Sequence, residues 1–259
     1  MDVKVKDGSI GDMEHTNYNS VSIVDSEDTN TINNNTGNVN NQVTIEGRIL
    51  DEIELHHITH GEKIYLFTIS SSRLNNETTD DVPVEVSERV VDINEFSKGD
   101  FVRVLGQFRS YNQYDEESGR VRLRLFIFAR DMEKCEEGES KKNNIHLMGY
   151  ICKKPVFRTT PQGREISDVI LAVNRMYKKT DYIPCIAWSR NARFLSRLEV
   201  GTKIDLDGRL QSRTYRKRIT DEEFDTRTVY EVSVSSVQVV DKDAEEEKEE
   251  SFHSETENS

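Results

Sequence analysis

Between about residues 40 and 240, polar and apolar positions trade places with a short period. Ile145, Leu147, Gly149 and Ile151 alternate with other residues, which predicts a half-buried strand. A turn follows at Thr160-Pro161-Gln162-Gly163. A mostly apolar strand is predicted from Ser167 to Val173 and another from Tyr182 to Trp188. Ala192, Leu195 and Leu198 then recur at three-residue spacing, which predicts a short helix stopped near Gly201. Ile204, Leu206, Gly208 and Leu210 alternate against Lys203, Asp205, Asp207 and Arg209, and Tyr230, Val232 and Val234 close the set.

The preceding hundred residues repeat this order: Val43 to Ile49, Ile64 to Ile69, a helical stretch around Val90, Ile93 and Phe96, then Phe101 to Phe108 and Val121 to Phe128. Gly47, Gly61, Gly99 and Gly106 have counterparts in Gly149, Gly163, Gly201 and Gly208, each 102 residues on (149 − 47 = 102). Val43 with Ile145, Ile45 with Leu147, Phe96 with Leu198, Val102 with Ile204 and Ser110 with Ser212 keep the same offset. That period is too long for a solenoid unit and suits a whole small domain. Five strands with a short helix between the third and fourth describe an OB-fold. The predicted fold is therefore all-β, with two tandem OB-folds. Gly149 and Gly208 fall mid-strand, where a small barrel needs tight bends or close backbone approach.

Composition changes this picture mainly at the ends. Residues 1–39 are poor in large apolar side chains and residues 241–259 are rich in Asp and Glu, so both are predicted to be disordered. That leaves domains at 40–140 and 143–240. No apolar segment follows Met1-Asp2-Val3-Lys4, so neither a signal peptide nor a membrane span is expected. Cys135, Cys152 and Cys185 are widely spaced and odd in number, which fits a reducing cytoplasm.

The net charge of −13 divides unevenly: −5 over residues 1–39, −7 over 40–142, +6 over 143–240 and −7 over 241–259. A basic second copy in an acidic chain points to an anionic ligand for that copy.

The second copy resembles the bacterial single-stranded DNA-binding protein family. The matching blocks are Asn144-Ile145-His146-Leu147-Met148-Gly149, Lys154-Pro155, Thr160-Pro161-Gln162-Gly163, Leu171-Ala172-Val173-Asn174-Arg175, Asp181-Tyr182-Ile183-Pro184-Cys185-Ile186-Ala187-Trp188, Gly208-Arg209-Leu210-Gln211-Ser212-Arg213 and Tyr230-Glu231-Val232. The first copy resembles the family much less, and its assignment rests on the repeat. The resemblance implies base stacking at Tyr177, Tyr182, Trp188 and Tyr215, all aromatic in this chain.

The residue chemistry agrees. Sequence-tolerant strand binding combines π-surfaces with cations that follow the phosphates. Arg175, Lys178 and Lys179 flank Tyr177, Arg190 and Arg193 follow Trp188, and Arg209, Arg213, Arg216, Lys217 and Arg218 surround Tyr215. These ten are the candidate phosphate-binding residues. Tyr182 and Trp188 are six apart and project from one strand face, with Ile183, Cys185 and Ala187 on the other. Large aromatics also fill cores, so Trp188 alone does not decide between stacking and packing.

The first copy serves as a control. At the 102-residue offset its positions are Asn75, Asp80, Val86 and Gln113, none aromatic. Its last loop reads Tyr114-Asp115-Glu116-Glu117-Ser118, so stacking by Tyr111 or Tyr114 would meet charge opposed to phosphate. A mainly architectural role is expected for it, as a dimerisation or partner surface. The family resemblance implies a homodimer, which gives four barrels.

Other chemistry is thin. His56-His57-Ile58-Thr59-His60 lacks complementary ligands, so no metal is expected. Asp80-Asp81 and Glu116-Glu117 read as loop carboxylates without the setting of an acid/base pair. With no phosphate-cradling glycine loop and no nucleophile motif, neither an enzyme nor a cofactor is expected. The tail from Asp241 to Ser259 is acidic like the family's, yet Phe252 is its lone large apolar residue, so recruitment of replication and repair proteins through a terminal tip is not expected. The expected function is coating of single-stranded DNA in replication, recombination or repair, cytoplasmic and nucleoid-associated. A primosome- or repair-type assembly factor and an RNA-binding protein remain the alternative classes.

Overall fold

Alternating burial builds two barrels from one pattern used twice. The computed structural model describes residues 40–73, 77–115, 119–138, 142–218 and 224–240. The two predicted disordered ends, Asn75, Glu116 and Glu117 lie outside the described residues.

In the first barrel the strands are β1 (Asn41–Ile49), β2 (Glu54–Thr59), β3 (Glu62–Ser72), β4 (Thr79–Ser87), β5 (Phe101–Asp115) and β6 (Arg120–Lys134). β1 pairs with both β3 and β5, β3 pairs with β4, β4 runs parallel to β6, and β6 returns to β5, so the ring closes. β2 stands outside this ring as an arm on β3. The second barrel repeats the circuit with β7 (Asn143–Ile151), β8 (Val156–Thr159), β9 (Glu165–Asn174), β10 (Thr180–Trp188), β11 (Lys203–Arg218) and β12 (Phe224–Val239). Val43, Ile45, Phe67, Val84, Val104 and Ile127 fill the first interior; Ile145, Leu147, Leu171, Ile183, Leu206 and Val232 fill the second.

The barrels join edge to edge. β1 pairs antiparallel with β7, with Val43 opposite its own repeat counterpart Ile145. A local two-fold therefore passes through that residue pair, and the sheet continues from one barrel into the next.

Gly149 shows why the mid-strand glycines are needed. A Cβ there would lie 2.5 Å from the carbonyl oxygen of Ala172, and Gly47 meets the Ser70 carbonyl in the same way. β7 crosses from β11 to β9 at this point, so the close-approach alternative holds.

Three sequence expectations change. Among the described residues the helix appears only in the second copy, as α1 (Ser189–Leu195), with Ala192 and Leu195 buried. The first copy has a single 3-10 turn at Ile93–Glu95, started by Asp92. β-branched Val90, Val91 and Ile93 lose rotamer freedom in a helix, and this stretch is too short to offset that cost. Second, β4 went unread, and Asp80 and Asp81 lie on that strand rather than in a loop. Third, the repeat offset drops by one after the β3–β4 turn. Val169 faces Cys185 and its counterpart Phe67 faces Val84, so 185 − 84 = 101. The true counterparts of Tyr182 and Trp188 are Asp81 and Ser87, not Asp80 and Val86.

Candidate nucleic-acid interface

β10 divides its side chains as the two-residue period requires. Ile183, Cys185 and Ala187 point into the core, while Tyr182, Pro184 and Trp188 lie on the outer face with a buried Ile186 between them. Trp188 ends the strand 37% exposed, and Tyr182 is half-buried near the other end. Six residues at about 3.3 Å each separate the two backbone positions by roughly 20 Å, room for several stacked bases. Tyr177 is 62% exposed at the tip of the turn from β9 to β10. Its φ of 62 and the φ of 58 at Lys178 are left-handed, an uncommon conformation for bulky residues. The turn is closed by the Arg175 N–H donating to the Lys179 carbonyl at 2.7 Å.

The candidate cations separate into two groups. Lys178, Lys179 and Arg190 are exposed beside Tyr177 and Trp188. Arg213 is exposed on β11, with Nε 3.9 Å from the Glu231 carboxylate. Arg193 is also exposed but pairs with Glu165 at 2.5 Å. Arg175 and Arg209 each face a buried carboxylate. Arg175 lies 3.1 Å from the wholly buried carboxylate of Asp181. Arg209 reaches into the first barrel and donates to Asp80 at 2.8 Å. Both guanidinium groups, partly exposed, pair with buried acids. Tyr215 pairs with Arg227 in the backbone register of β11 and β12, and Arg216, Lys217 and Arg218 continue that strand.

The corresponding face of the first barrel is Asp81, Pro83, Glu85 and Ser87, the last two buried. Where the second copy has Tyr182, Ile186 and Trp188, the first has two acids and a serine. On the long hairpin, Tyr111 and Tyr114 are exposed, with Tyr111 opposite Arg124 and Gln113 opposite Arg122. The hairpin is thus less uniformly acidic than its tip sequence implies.

Glu85 is buried beside His56, 3.4 Å from its ring nitrogen, and burial pushes its carboxyl up to about 7 despite the opposing field of Arg109. Arg109 lies over the Phe128 ring at 3.9 Å, and burial together with neighbouring Arg175 pushes it down to about 10. Because the folded chain holds the Glu85 proton to higher pH than the unfolded chain does, its contribution to stability declines as pH rises from about 4.5 to about 7. Glu85→Gln is expected to narrow the difference in Tm between pH 5 and pH 8. An unchanged difference in calorimetry would contradict this. Among the described residues, His56, His57 and His60 form no metal-binding group with other ligands.

Sequence reasoning missed a buried seam between the barrels. The Asp80 carboxylate accepts from Arg73 at 2.9 and 2.6 Å, from Arg209 at 2.8 Å and from the Ser212 N–H at 2.9 Å. Its mirror image, Asp181, accepts from the Ser110 N–H at 2.7 Å, and burial raises its pKa. The serines answer across the same seam. Ser110 Oγ accepts from the Tyr182 N–H at 2.8 Å, and Ser212 Oγ accepts from the Asp81 N–H at 2.9 Å.

Comparison with known proteins fits this geometry. A model of the single-strand binding protein family matches residues 40–135 and 142–240. Single-stranded DNA-binding protein A of Bacillus subtilis (strain 168) is 34% identical over 106 residues, covering 38% of this chain and 59% of that one. Single-stranded DNA-binding protein 1 of Staphylococcus aureus (strain COL) is 36% identical over 83 residues, covering 29% and 50%. The matches therefore span between half and three-fifths of those relatives. The wild-type single-stranded DNA binding protein of Thermus aquaticus superposes with a TM-score of 0.60 at 21% identity, covering 78% of this chain and 93% of that one, a likeness of fold. Among the described residues no helix is long and apolar enough to cross a membrane.

Proposed function

The chain belongs to the single-strand binding protein family, and from that membership we propose that it coats single-stranded DNA, chiefly through its second barrel, in replication, recombination or repair. The observation that carries this reading is the contrast between two equivalent faces. On these faces the second barrel leaves Tyr182, Pro184 and Trp188 accessible around a buried Ile186, whereas the first has Asp81 and Pro83 accessible beside buried Glu85 and Ser87. Stacking surfaces of the first kind accept any base, because every base has a π-face. Tyr177 and Tyr215 extend the stacking set, and Lys178, Lys179, Arg190 and Arg213 supply nearby positive charge, joined by the strand continuing through Arg216, Lys217 and Arg218.

The first barrel is mainly architectural in this reading, and a homodimer brings four barrels together. The chain acts by binding alone, with no catalytic step. Its cysteines, free among the described residues, suit a reducing cytoplasm.

Binding is expected to weaken with salt. Neutralising about four phosphates gives a log–log slope near −3, from roughly −0.7 per contact on a single strand. Anisotropy of labelled poly-dT against sodium chloride measures it, with poly-U and duplex DNA in parallel. A slope near zero would contradict the reading, and tighter binding to poly-U would move it to RNA.

A further inference from the structure

We propose that the first barrel acts as a positioning partner for the stacking face of the second, and that Ser110 is the residue through which it does so. The proposal rests on the single-strand reading above.

The need for it is visible in the sheet. Among the described residues β10 meets β12 only at Cys185 and Ile186, and its first half has no ladder partner on that side. This half carries Tyr182. A backbone N–H at a splayed strand must find another acceptor or lose a hydrogen bond. The Tyr182 N–H finds Ser110 Oγ, at 2.8 Å, from the other barrel.

The same serine fixes a second element. Its own N–H donates at 2.7 Å to Asp181, whose side chain is wholly buried. Asp181 in turn pairs with Arg175, the first residue of the turn that displays Tyr177. One residue of the first barrel thus connects to both Tyr182 and the turn bearing Tyr177. A group held by packing and by such partners is pre-organised, and its ligand need not supply the ordering free energy.

The molecule contains its own control. Ser212 makes the mirrored contacts with Asp80 and Asp81, from the second barrel into the first. The strand held there, β4, is splayed in the same way and, among the described residues, meets β6 only at Val84 and Glu85. What it presents is Asp81, with no aromatic ring. Ser110→Ala and Ser212→Ala therefore remove equivalent hydroxyls from equivalent seams, and only the first loosens a stacking residue.

The test uses the full chain and measures thermal unfolding together with poly-dT affinity across salt. Both substitutions are expected to lower Tm by similar amounts. Ser110→Ala is expected to weaken poly-dT binding about five-fold, the worth of one hydrogen bond, at an unchanged salt slope. Ser212→Ala is expected to stay within about two-fold of the unaltered chain, a change too small to count as a lost hydrogen bond. Ser110→Thr, which retains the hydroxyl, is expected to recover affinity. Equal affinity losses for the two alanine variants, or a Tm loss in Ser110→Ala with no affinity loss, would overturn the positioning role. Failure of the unaltered chain to bind poly-dT would instead overturn the single-strand reading, and the proposal with it.

Discussion

Trp188→Ala is expected to lower affinity for poly-dT by about ten- to a hundredfold while leaving the fold intact. Stacking contributes roughly 1–3 kcal/mol per base by alanine substitution, and each 1.4 kcal/mol is tenfold. The fold should survive because Trp188 lies on the outer face of β10, 37% exposed, and does not belong to the buried core. Its neighbours Ala187, Ala192 and Leu195 provide the local packing. Fluorescence anisotropy gives the affinity, and circular dichroism with thermal melting gives the fold. A Tm drop as large as that of a core truncation would show that the ring is packing rather than binding. Unchanged affinity with an unchanged melt would remove β10 from the binding surface.

Asp80→Ala is expected to act on stability instead. The carboxylate is 1% exposed and holds Arg73 and Arg209 from opposite barrels. Removing one partner of a buried ion pair costs 3–5 kcal/mol in general, and the partial exposure of both arginines favours the lower end. The Ser212 N–H also loses its acceptor. About 3 kcal/mol corresponds to a fall in Tm of roughly 10 °C for a folded unit of this size. Differential scanning calorimetry measures it, and a fall below about 2 °C would contradict the assignment of Asp80 as a lock between the barrels.

Much of the fold was legible because its physical causes are local. Two-residue alternation marks strands facing a core, and the glycines at 47, 106, 149 and 208 mark where one backbone meets another. The absent helix in the first copy was misread because apolar spacing alone does not include the rotamer cost of Val90, Val91 and Ile93. β4 was missed because Thr79, Asp80 and Asp81 look like a loop in sequence. The burial of Asp80 depends on Arg73, Arg209 and Ser212, of which the last two are about 130 residues away in the chain.

The candidate site was legible in part for the same reason. The outward placement of Tyr182 and Trp188 follows from strand period. That Arg175 and Arg209 serve buried aspartates cannot follow from local charge, since a cation beside an aromatic reads alike in either role. One signal was present: Ser110 and Ser212 keep the 102-residue offset, and Asp80 and Asp181 keep the shifted one. Paired polar residues repeated in both copies fit a two-fold seam, which becomes visible only once β1 is placed against β7.

Trp188 is the only tryptophan of the chain, so its emission reports β10 without interference from another indole. Titration with poly-dT at low and high salt is the most direct test of the central claim. Strong quenching that saturates at low salt and weakens at high salt is the predicted result. Emission unchanged through saturating poly-dT would contradict the placement of bases on this face.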